Sequence, residues 1–63
     1  MEDLIKLAQE TKKLTALIVE DREDDNKLMQ SFFKNLFKTI YSAQNGKDGL
    51  LIYKDKKPDI VIT

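Results

Sequence analysis

The chain has no cysteine and no histidine among its 63 residues. Without thiols there are no disulfides and no thiolate metal sites, and a reducing compartment is the natural setting. Without imidazole the commonest general base and the commonest zinc ligand are both missing. Net charge is missing too. Eleven Lys+Arg stand against eleven Asp+Glu, so nothing in bulk draws the chain to nucleic acid or to an anionic membrane. No apolar run approaches a membrane span, and the acidic opening Met1-Glu2-Asp3 is wrong for a secretory signal. These absences predict a cytoplasmic, soluble protein that partners neither membrane nor nucleic acid and is not an enzyme. A chain this short buries only about 60% of the surface its unfolded form exposes. Marginal stability is expected unless something adds cover.

What is present alternates in kind. Residues 2–13 place Leu4, Ile5, Leu7 and Ala8 on one helical face, with acids early and lysines late as a helix dipole prefers. This reads as a short amphipathic N-terminal helix or linker that needs a partner surface. Leu14 to Val19 is a continuous apolar and β-branched run, too short for a helix and fit for a strand buried on both faces. An acidic stretch, "EDREDDNK", ends that strand and opens a helix. Leu28, Met29, Phe32, Phe33, Leu36 and Phe37 then repeat at three and four, predicting a helix over roughly 24–37.

"TIYSA" at 39–43 reads as a second strand and "QNG" as a turn. "KDGLLIYKDKK" makes a third helix with Leu50, Leu51 and Lys54 on one face, although Gly49 costs roughly 1 kcal/mol there relative to Ala. A β-hairpin turning at Asn45-Gly46 is the alternative, opposed by the three residues, Lys47 to Gly49, that separate Gly46 from the apolar run beginning at Leu50. After Pro58, "DIVIT" is a third strand, 59–63. Strands alternating with helices imply parallel pairing through right-handed crossovers.

Four stretches carry a resemblance. "LTALIVED" at 14–21, the helix opening "REDDNKLM", the turn "AQNGKDGL" at 43–50 and "KPDIVIT" at 57–63 follow one another as in the first half of a response-regulator receiver domain. The resemblance divides the chain into an N-terminal helix or linker, 1–13, and a truncated receiver-like unit, 14–63. It implies α/β architecture, half of a flavodoxin-like doubly wound parallel sheet with strand order 2-1-3. In that family the residue after the third strand is the aspartate that takes a phosphoryl group. Thr63 occupies the position just before it. The hydroxyl residue and the lysine that read the phosphate from the fourth and fifth strands also lie outside this sequence.

By the same pattern Glu20 and Asp21 match the family's acidic pair, Asp21 as a direct Mg²⁺ ligand and Glu20 through water. Magnesium takes one or two carboxylates plus phosphate oxygens and keeps several waters. Two acids alone should hold it weakly, so no tightly bound cofactor is expected. The plainer reading is a solvated acidic turn that also caps the next helix. Thr63 reads as a strand residue, Asp24 and Asp25 as first-turn helix acids, and Lys54, Lys56 and Lys57 as a solvated helix end. Gly46 and Gly49 do not make a phosphate loop. Phe32, Phe33 and Phe37 read as core or as a seam with a partner chain.

A sheet that stops at its third strand leaves an open edge. Asp59, Ile60, Val61 and Ile62, with the three phenylalanines, are therefore the expected interface of a homodimer formed by edge pairing or element exchange. Two functions stand. One is two-component phosphorelay signalling, with a histidine kinase or phosphotransfer protein as partner of the intact system. The other is a naturally short, non-phosphorylatable receiver-like dimerisation or interaction module.

Overall fold

The computed structural model describes residues 9–63. Its elements are β1 (Thr15–Val19), α1 (Glu23–Phe33), β2 (Thr39–Ala43), α2 (Gly46–Lys56) and β3 (Ile60–Ile62). Residues 9–11 are helical and lead through a turn into β1. The amphipathic face predicted from Leu4, Ile5, Leu7 and Ala8 lies outside the described residues.

β1 is the central strand of a three-stranded sheet ordered β2-β1-β3, and both pairings are parallel. Its composition explains its place. Ala16, Leu17 and Ile18 are at most 1% exposed, as a strand covered on both faces demands. The register aligns Val19 with Ala43 on one side and Ile18 with Ile62 on the other. The first crossover runs from β1 out to β2 and the second runs back past β1 to β3, so right-handed connections put the two helices on opposite faces, and both helices pack on β1 and β2. Alternation along the strands sends Leu17, Val19, Ala43 and Val61 toward α2, and Ala16, Ile18, Ile60 and Ile62 toward α1.

The helices depart from expectation in instructive ways. α1 stops at Phe33 rather than running to residue 37. The Leu36 N–H bonds back to the Phe33 carbonyl at 2.9 Å, and the Lys38 N–H donates to the Leu14 carbonyl at 2.8 Å. The chain turns there because Thr39 must arrive beside Thr15. Phe37 remains part of the apolar set by folding back on Phe33, ring centroids 6.0 Å apart.

Asn45-Gly46 is a helix start, not a hairpin. Asn45 is the N-cap of α2 and accepts from the Asp48 N–H at 2.8 Å, while its amide donates to the Asp48 carboxylate at 3.0 Å. At the other end Lys57 closes α2 in the left-handed region, φ 49°, with its N–H on the Tyr53 carbonyl. The strand that follows spans Ile60–Ile62, with Asp59 just before it.

The inward line of α2 is carried by Gly49, which is buried, while Leu50 and Leu51 are 54% and 60% exposed. A Cβ at Gly49 would sit 2.9 Å from Val19 Cγ2, so the absent side chain sets how closely α2 approaches the sheet. At Gly46 a Cβ would meet nothing within 4 Å. The two glycines therefore predict opposite signs. Gly46→Ala should raise stability by about 0.5 kcal/mol through reduced chain entropy. Gly49→Ala should lower it by about 1 kcal/mol, because overpacking against a stiff valine outweighs the gain in helix propensity. Urea denaturation followed by circular dichroism checks both, and a stabilised Gly49→Ala would refute the close-packing account.

Candidate functional site

The acidic residues expected to carry chemistry gather at the C-terminal tip of the sheet, where β1 delivers the chain into α1. The Glu20 N–H extends the ladder by bonding to the Ala43 carbonyl at 3.0 Å. Its side chain turns back to accept from the Arg22 N–H at 3.2 Å. Asp21 is exposed. β3 comes up alongside, and continuing its register past Ile62 sets Thr63 level with Val19, one step below Glu20.

The residue that fixes this tip escaped the sequence reading. Asn26, in the first turns of α1, is 2% exposed. Its amide donates to the Glu20 and Ala43 carbonyls, each at 3.0 Å, and its Oδ1 accepts from Gln30 Nε2 at 2.7 Å. One side chain thus joins the ends of β1 and β2 to the helix between them. The available signal was a polar residue two before Leu28, on the face opposite it. That face is the inward one: Leu28 and Phe32 point outward, 68% and 71% exposed, so part of the apolar repeat lies on the surface. Phe33 and Phe37 are half-buried, and Phe32 meets Phe33 edge to face with ring centroids 5.0 Å apart.

Asp24 and Asp25 sit in the first turn of α1, as read. Asp25 pairs with Arg22 at 3.4 Å and Glu23 with Lys27 at 3.3 Å, both exposed pairs of small energetic weight. Glu20 and Asp21 have the hard oxygen donors Mg²⁺ prefers, and in the number it commonly takes from protein. Among the described residues there is no cluster of three or more His, Cys, Asp or Glu able to hold a metal. The pair suits a shared site in kind and falls short of a self-sufficient one.

At the opposite end, Asp59 serves the fold. Its Oδ2 accepts from the Thr15 N–H at 2.8 Å and from the Thr15 hydroxyl at 3.2 Å, while its own N–H donates to the Thr15 carbonyl at 3.0 Å. Ile60 and Ile62 are half-buried, and Val61 and Thr63 are exposed. Beside β3 on the α2 face runs an apolar groove of about 280 Å³, lined by Leu17, Val19, Gly49, Leu50, Tyr53 and Val61 among others.

The zero net charge conceals a separation. Glu20, Asp21, Glu23, Asp24, Asp25 and Asp48 lie toward the tip, against Arg22, Lys27 and Lys47. Lys12, Lys13, Lys34, Lys38, Lys54, Lys56 and Lys57 lie toward the base, against Glu10, Asp55 and Asp59. Among the described residues acids are in excess at the tip and lysines at the base.

No protein-family model, curated protein or solved structure matches this chain. Among the described residues no helix is long and apolar enough to cross a membrane.

The Asn26 bonds predict their own test. Asn26→Ala leaves the Glu20 carbonyl without this donor and should cost about 2 kcal/mol. Asn26→Asp, which turns a carboxylate toward two carbonyls, should cost more than the alanine does. Equilibrium unfolding of both variants checks the order, and a neutral Asn26→Ala would show that the tip is held by other means.

Proposed function

We propose that residues 14–63 form the front half of a flavodoxin-like receiver domain used in two-component phosphorelay signalling. The observation that carries this reading is the parallel β2-β1-β3 sheet whose central strand ends in Glu20-Asp21, with β3 rising beside them to Thr63. Parallel α/β sheets do their chemistry outside the carboxyl ends of their strands. In the reading taken from the family resemblance, a carboxylate one residue past Thr63 would attack the phosphorus of a phosphohistidine. An O–P bond forms as the N–P bond breaks. Mg²⁺, when bound, would neutralise the phosphoryl oxygens. Asp21 would hold it directly and Glu20 through water, with Asn26 fixing the backbone that carries both.

Without that carboxylate, a polypeptide of residues 1–63 should bind Mg²⁺ weakly and accept no phosphate. In an amide NMR titration, millimolar Mg²⁺ should move the Glu20, Asp21 and Thr63 resonances, and Asp21→Asn should abolish the response. After incubation with acetyl phosphate and Mg²⁺, intact mass should show no phosphoryl adduct. Metal-induced shifts centred elsewhere, or an adduct on this chain, would sink the reading.

A second reading is an interaction module that acts by pairing with another copy. The β3 edge, unpaired among the described residues, and the apolar groove beside it favour this one.

A further inference from the structure

We infer that two copies of this chain join through their β3 edges in antiparallel orientation, acidic tip against basic base. The inference deepens the interaction-module reading and rests on it; it is independent of the phosphorelay reading.

Among the described residues neither outer strand has a further strand on its outer edge, and the chemistry of the two differs. β2 carries Thr39, Tyr41 and Ser42, whose hydroxyls suit a solvated margin, whereas β3 is Ile60-Val61-Ile62. An apolar strand with unpaired backbone groups is a template for a further strand. Beside it, Leu50, Tyr53 and Val61 are among the exposed large apolar side chains, and all three line the groove. A strand from outside would cover edge and groove together.

Charge selects the occupant and its direction. A second copy brings its own β3 and its own separated charge. Two-fold pairing can be parallel, which sets tip beside tip and base beside base, or antiparallel, which sets tip beside base. Like charges brought together oppose association and opposite charges favour it. Glu20 and Asp21 at the top of β1 would then face the end of the partner copy that carries Lys54 and Lys57. The antiparallel axis stands perpendicular to the sheet. It keeps both α2 helices on one face, gives a continuous six-stranded sheet, and brings Tyr53 of one copy toward Leu50 of the other.

Sedimentation equilibrium of the 63-residue chain across micromolar concentrations tests this. The expected result is a monomer–dimer equilibrium that weakens as salt is raised. Lys54→Glu with Lys57→Glu should weaken dimerisation about tenfold, the size of a few exposed charge pairs. Asp21→Lys with Asp24→Lys should do the same, and the four changes together should restore it. Val61→Asp should abolish dimerisation while circular dichroism shows the helices retained. A monomer at every concentration overturns the interaction-module reading and this inference together. A dimer that tip reversal strengthens overturns the antiparallel arrangement alone. Neither result bears on the Mg²⁺ response, which judges the phosphorelay reading separately.

Discussion

The fold depends on β1 being enclosed. Among the described residues the largest fully buried side chains, Leu17 and Ile18, come from one strand, and Ala16 and Ala43 join them in the core. Surface-to-volume scaling explains this narrowness, because a chain of this length has room for one central element and a single layer on each side. Every other element is placed by reference to β1. β2 and β3 flank it, both helices pack on it, and the close approach of α2 at Gly49 is made to its last residue, Val19. A slip of β1 by one residue would exchange its two faces, so the register needs fixing independently of apolar contact.

Polar side chains fix it at both ends. At the base, Asp59 holds Thr15 through backbone and hydroxyl, which sets the start of β3 against the start of β1. At the tip, Asn26 takes the terminal carbonyls of β1 and β2 onto α1. Among the described residues no buried side-chain nitrogen or oxygen lacks a partner. A polar group so enclosed contributes specificity, since any other register would leave it unsatisfied at a cost of about 1–3 kcal/mol. The acidic pair considered for function thereby starts from backbone tied to both β2 and α1.

The strands were legible in the sequence because each has its own composition: an unbroken apolar run for β1, mixed polarity for β2, a short β-branched run after proline for β3. Their order was an expectation drawn from the family resemblance, and the sheet has it. The helices were less legible. An apolar repeat at three and four does not say which of two adjacent residues faces inward, so Leu28 and Phe32 read like Met29 and Phe33 although they lie outside. Nor does it mark where a helix must stop so that the next strand can meet its partner, which is why α1 ends at Phe33. Asn26 and Gly49 were read past for one reason. Each is inward-facing without being apolar and large, one serving the backbone and the other making room for it. Nothing in the periodicity carries that information. The tip acids were visible as residues, but their support was not.

The separation of charge follows from the same local rules. A helix is stabilised by acids at its N-terminus and bases at its C-terminus, and α1 opens with Glu23, Asp24 and Asp25 while α2 closes with Lys54 and Lys56. In a bundle of antiparallel helices such preferences alternate and cancel. Here every strand is parallel, so both helices return in one direction and their end charges add. The loop leaving β1 carries Glu20 and Asp21, and the loop entering β2 carries Lys34 and Lys38. A parallel half-sheet capped by ordinary helix chemistry is therefore an electric dipole whatever its net charge. In the proposed dimer, a copy turned end for end along β3 would offset that dipole.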